Sequence, residues 1–174
     1  TAISESKKLF IPGKPNGKKV AIIGAGPAGI SCACELRMTG YEVDIFEAKK
    51  KPSDLTVHGV APYKITNDEV LNEMDYLQKQ FGYNVKYNSA ITSKEDFAGL
   101  EKNYDAVFIG IGLGKTDTLN IKGENLENCT GAVEFIELLR RMKHNVRVGH
   151  KVIVLGGGNT AMDAASESAR LGAE

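Results

Sequence analysis

The sequence predicts an α/β fold with parallel sheets, and three observations carry that prediction. Apolar runs at 20–23, 105–112 and 151–155 each have the length and composition of a buried parallel strand. The first and last run straight into glycine-rich turns, at 24–29 and 156–161, and a helical pattern follows each turn. Strand-like and helix-like stretches alternate in between, as βαβ units require.

Each element has a local reason. Residues 1–19 are polar and aperiodic, with two prolines and two glycines, and read as a linker or extended arm. After the first turn a helix is expected over 30–38, ended by Gly40, and an alternating strand over 41–46 that closes at Glu47. The stretch 48–66 is irregular, and its lysine run at 49–51 reads as a solvated loop. Asn67 is placed to cap a helix running to Phe81, with Val70, Leu71, Met74, Leu77 and Phe81 on one stripe. A short strand at 84–87 follows, then a brief helix opened by the Ser93 and Asp96 capping-box pair. Beyond the run at 105–112 come a polar connection over 114–130, a helix over 132–142 and the strand at 151–155.

Composition narrows the class. With 42% hydrophobic and 25% charged residues, the 174-residue chain is ordinary for a globular protein and long enough for one domain or parts of two. Lys+Arg and Asp+Glu balance at 22 each, so no net field favours nucleic acid, a membrane surface or an acidic substrate. No apolar run approaches the roughly 20 residues that span a bilayer, and no signal-peptide pattern opens the sequence, so a cytoplasmic protein is expected.

The two turns carry the chemistry. Gly24, Gly26 and Gly29 fit G-x-G-x-x-G: the first permits a tight turn, the second lets a pyrophosphate approach the backbone, and the third lets helix and strand pack closely. The helix that follows presents its N-terminal amides to phosphates. Glu47, 18 residues after Gly29, ends the next strand where a carboxylate can accept ribose hydroxyls. Gly156, Gly158 and Ala161 form a second copy, whose following strand, the usual carrier of NAD or NADP preference, does not occur before residue 174. Two such beginnings about 130 residues apart suggest hydride transfer from a nicotinamide to a flavin.

The ordered set VAIIGAGPAGISCA at 20–33, the acid at Glu47, HGVAPYKI at 58–65, VFIGIG at 107–112 and VIVLGGGNTAMDAA at 152–165 resembles the glutamate synthase small subunit family of flavoproteins. Within it, the chain is most similar to the FAD/NADPH module of dihydropyrimidine dehydrogenases, over nearly all of 10–174. The resemblance implies a Rossmann-like FAD-binding domain, its N-terminal part at 20–115. A connection and the start of an NAD(P)-binding Rossmann-like domain would then occupy 116–174. It also implies FAD and NADP or NAD as cofactors, and an iron–sulfur domain or catalytic partner subunit as electron acceptor. By the same likeness Gly24, Ala25, Gly26, Pro27 and Ala28 surround the FAD pyrophosphate and Glu47 its ribose. Leu55 lies against the flavin, and Lys64 stands where the family has an arginine, keeping its charge without the bidentate fork. Ile91 lies on the adenine side, Gly110 to Gly112 pass near flavin or phosphates, and Gly156, Gly158, Asn159, Thr160 and Ala161 meet the nicotinamide dinucleotide.

Two departures from the family pattern qualify this. Ser53-Asp54 replaces a Gly-Gly pair, placing a carboxylate where a pyrophosphate should approach. The family's N-terminal cluster cysteines and the return of the chain into the flavin domain are not in these residues, so a fragment is expected.

Other chemistries find less support. Cys32 and Cys34 sit two apart on a predicted helix, where side chains diverge, and Cys129 is alone, so they read as small side chains rather than a disulfide framework. No C-x-x-C or C-x4-C pair follows Glu47 or precedes the second glycine turn, which disfavours a dithiol reductase. His58, His144 and His150 are scattered, and no acidic or histidine set has metal spacing. The leading expectation is a flavin oxidoreductase module. The alternatives are a nucleotide-binding scaffold without turnover and, less favoured by 56–65, a related flavin monooxygenase.

Overall fold

The structure is a computed structural model, and it describes residues 2–52, 55–142 and 145–174. The chain divides into two compact units, Thr1–Thr56 with Asn67–Gly112 and Val57–Thr66 with Leu113–Glu174.

The first unit holds β1 (Lys19–Ile23), α1 (Pro27–Met38), β2 (Glu42–Phe46), α2 (Asn67–Phe81), β3 (Asn84–Lys86), α3 (Lys94–Asn103) and β4 (Ala106–Ile109). The four strands pair in parallel in the order β3-β2-β1-β4, with Ile22 opposite Ile45 on one side and Phe108 on the other. Strand alternation sends Val20, Ile22, Val43 and Ile45 to one face, where they pack with Ile30, Ala33, Phe81 and Tyr83. Ala21 and Ile23 face the other way, onto Leu100, Phe97 and Tyr104. Complete burial of Ile22 and Ile45 contributes about 1.5–3 kcal/mol each.

Ends follow local chemistry. α1 starts at Pro27, three residues before the sequence-based start, because proline suits the first helical position. Asn67 is the first residue of α2. Ser93 caps α3 with both bonds of a capping box: its side chain accepts from the Asp96 amide at 3.0 Å, and Asp96 accepts from the Ser93 amide at 3.0 Å.

Three expectations are corrected. The run at 105–112 is strand only over Ala106–Ile109, and those residues are half-buried or exposed, since among the described residues β4 pairs with β1 alone. Part of the N-terminal arm is docked: Tyr76 donates to the Lys7 carbonyl at 2.7 Å, the Leu9 amide donates to Gln80 Oε1 at 2.9 Å, and Phe10 stacks on Phe81 at 4.9 Å. Residues 151–155 form no strand, because no neighbouring strand among the described residues pairs with them; Ile153 is 86% exposed.

The second unit contains α4 (Ala132–Met142) and α5 (Asn159–Arg170) around a small core of Ala61, Phe135, Ile136, Leu139, Val146 and Ala164. The buried Arg140 guanidinium donates to the Val60 carbonyl at 2.7 Å and the Ala61 carbonyl at 3.3 Å, tying 57–66 to α4. Within the irregular stretch, Leu55–Gly59 makes one π-helical turn. No helix among the described residues is long and apolar enough to cross a membrane.

Candidate functional site

The first glycine turn is shaped by contacts on every side. Gly24 has φ +101°, and a Cβ there would stand 2.6 Å from the Gly110 carbonyl oxygen. A Cβ on Gly29 would collide with the Gly24 carbonyl, so helix and strand meet only because both positions are glycine. Gly26 differs: it caps α1 with extended backbone (φ −77°, ψ 179°), no side chain caps that end, and the nearest atom to an added Cβ is 4.0 Å away. The space over the helix N-terminus is thus open, as an anion needs.

Glu47 closes the turn from the next strand. It is 5% exposed; Oε2 accepts from the Ala25 amide at 2.8 Å and Oε1 from the Lys49 amide at 2.8 Å. Each oxygen keeps a further lone pair, so the carboxylate can shape the turn and still accept a hydroxyl. The first role was not foreseen from sequence. Ala25 is buried, while Pro27 and Ala28 are exposed at the helix start.

The remaining candidates divide. Gly110 packs against Gly29, where its own added Cβ would lie 3.3 Å from the Gly29 amide nitrogen. Gly112 is exposed, as is Leu55 in its π-helical turn. Ile91 packs on the core cluster with Ala21, Ile23 and Leu100. Ser53, Asp54 and His144 lie outside the described residues.

The second turn repeats the backbone of the first without its surroundings. Gly156 has φ +122°, and Gly158 caps α5 at φ −79°, ψ 174° with no side-chain cap. An added Cβ on Gly156 would lie 3.5 Å from the Ala161 side chain, and Gly156, Gly158, Asn159 and Thr160 are all exposed.

Below this turn sits a group that sequence reasoning missed. Asp163, 7% exposed on α5, lies 2.7 Å from Lys64 Nζ through each carboxylate oxygen. Its Oδ1 also accepts the Tyr63 hydroxyl at 2.6 Å. The Arg170 guanidinium lies 4.7 Å over the Tyr63 ring. Burial pushes the Asp163 carboxyl upward, but the bonds from Lys64 and Tyr63 outweigh it and hold it below the usual range. No local pattern joins residues a hundred positions apart. The one signal was the lysine itself, Lys64, which resemblance assigned to the cofactor and the structure brings to Asp163.

Cys32, Cys34 and Cys129 are unbonded, and burial pushes the Cys34 thiol up to about 11. No group of three or more metal-ligating side chains gathers among the described residues.

A parallel β-sheet whose central strand enters a glycine turn at a helix N-terminus, with an acid at the end of the adjacent strand, defines a Rossmann-type dinucleotide-binding fold. The chain belongs to the pyridine nucleotide-disulphide oxidoreductase family, whose model matches residues 18–174. It is 37% identical over 161 residues to the NADP(+)-dependent formate dehydrogenase subunit beta of Moorella thermoacetica, covering 91% of this chain and 22% of that protein. The NAD-dependent dihydropyrimidine dehydrogenase subunit PreT of Salmonella typhimurium is 30% identical, with 95% of this chain and 40% of the relative covered. The glutamate synthase [NADPH] small chain of Escherichia coli is 32% identical, at 92% and 36%. Among solved structures, Mycobacterium tuberculosis FprA in complex with NADPH superposes with TM-score 0.72 at 26% identity, over 87% of this chain and 36% of that one. The resemblance to glutamate synthase and dihydropyrimidine dehydrogenase chains therefore holds. The chain spans only about a fifth to two-fifths of the length of these curated relatives.

Proposed function

We propose that this chain is a nucleotide-binding part of a cytoplasmic flavin oxidoreductase that takes hydride from NAD(P)H onto FAD. Electrons then pass to an iron–sulfur domain or a catalytic partner subunit. The observation that carries the reading is the first turn: open space over an uncapped helix N-terminus, walled by Gly24, Gly29 and Gly110, with a buried acid just past the adjacent strand. Those features fit the pyrophosphate and ribose of FAD. Residues 24–28 would hold the pyrophosphate and Glu47 the ribose, with Leu55, Gly110 and Gly112 on the flavin side and Ile91 toward the adenine. Residues 156–161 would take the nicotinamide dinucleotide. The flavin, when bound, supplies hydride acceptance and release of single electrons; the chain's own residues bind, orient and exclude water.

Support also comes from relatives whose names carry NADP(+), NAD and NADPH, and from FprA, solved with NADPH. The test is the visible spectrum of the purified protein. Flavin absorption bleached by NADPH or NADH is expected. A colourless protein that takes up no added FAD would overturn the reading in favour of a nucleotide-binding scaffold without turnover.

A further inference from the structure

The Asp163 carboxylate stands in an electrostatically awkward place. It lies four residues into α5, about 6 Å along the axis from the first helical residue. A negative charge so near the start of the helix opposes the phosphates that the reading above assigns to this helix end. Yet neither of its oxygens is left alone: Lys64 reaches both, and the Tyr63 hydroxyl takes one of them.

Those partners lie on 57–66, the segment that Arg140 also anchors through the Val60 and Ala61 carbonyls. The segment is therefore held twice, at 60–61 on α4 and at 63–64 on α5.

We propose that Lys64 and Asp163 form a charge-cancelling clamp, in which Asp163 fastens the 57–66 segment to α5 and Lys64 silences the carboxylate beneath the second glycine turn. Lys64 is thus a positioning residue that acts on the dinucleotide through Asp163. This rests on the assignment of 156–161 to NAD(P)H, and it replaces direct cofactor contact as the reason for a cation at position 64.

A clamp of this kind makes the two single substitutions act in opposite directions. Lys64→Met leaves an unpaired carboxylate near the phosphates, so the dissociation constant for NADP+ or NAD+ should rise roughly three- to tenfold. KM should rise with it while kcat holds, and the effect should shrink as salt is added. Asp163→Asn removes the repulsion and frees the lysine, so binding should hold or tighten by up to about threefold. The double variant should return close to the parent, and Lys64→Arg should bind as the parent does.

Titration calorimetry of the full-length holoprotein with NADP+ and NAD+ in turn reads these constants, and a nucleotide-free melt records the stability cost separately. If both single variants weaken binding alike, or the double variant fails to recover it, the clamp is refuted while the functional reading stands. A parent protein that binds neither nucleotide overturns the functional reading and the clamp together.

Discussion

Gly26 and Gly158 cap their helices with nearly the same backbone angles, φ −77° and ψ 179° against φ −79° and ψ 174°. Around the first, β1 is paired on both sides, three glycines interlock and Glu47 holds the Ala25 amide. Around the second, the preceding residues pair with no described strand and the turn stands exposed. The shape of such a glycine turn is therefore written in some six residues of local sequence. What surrounds it depends on strands that arrive from elsewhere in the chain. A glycine fingerprint reports the first property and says nothing about the second.

The widest separation between the two turns should come from filling them. Gly24→Ala combines a positive φ with a 2.6 Å clash against backbone, and is expected to cost about 2–5 kcal/mol in urea denaturation and to abolish FAD uptake. Gly158→Ala, with nothing within 4 Å of the added methyl, should change the denaturation midpoint little; an equal loss at both sites would break the comparison. Next come the residues that lead into the turns. Ile22→Ala should cost about 2–5 kcal/mol, whereas Ile153→Ala should stay within about 0.5 kcal/mol.

Acid should reach the first unit through Asp44, which is 4% exposed on β2. Burial opposes its charge, but bonds from Tyr104 at 2.6 Å, Lys86 at 2.9 Å and Asn84 at 3.2 Å, with Lys19 3.2 Å away, outweigh it and leave the carboxyl well below its usual range. A depressed folded-state pKa stabilises above the unfolded value of about 3.9 and is lost as pH falls below it. Stability measured between pH 5 and pH 2 should therefore fall, and Asp44→Asn should flatten that slope. The smallest effect tests Glu47 as architecture. Glu47→Gln keeps one acceptor for the two amides and should lower stability by about 1 kcal/mol while weakening FAD binding; unchanged affinity by flavin fluorescence would confine Glu47 to shaping the turn.

The β-strands of the first unit were readable because Val20, Ile22, Val43 and Ile45 obey a period of two and lie between glycine and acid landmarks. The α3 cap was readable because Ser93 and Asp96 are three apart. Burial was less so: 105–109 and 151–155 have compositions like that of β1, and apolar composition does not disclose whether a neighbour arrives on each side. The docking of the arm at Lys7, Leu9 and Phe10 is not legible because its anchors are a phenyl stack and bonds to main-chain atoms, which leave no period. At the site, the glycines and Glu47 were legible as a spacing. The Tyr63–Lys64–Asp163 group was not, since nothing in a linear pattern couples an exposed loop to a helix far downstream.

The division of the chain has a consequence for how such a protein can be rebuilt. Because 57–66 belongs with 113–174, neither unit is one continuous stretch, and the peptide passes from one to the other three times. A gene fusion with a single junction near residue 113 would transplant α4 and α5 without Ala61 in their core or the carbonyls that satisfy Arg140. A working exchange between relatives has to carry two inserts, the ten-residue strap along with the segment from 113 on, so the strap and the helices it serves are expected to travel as one cassette.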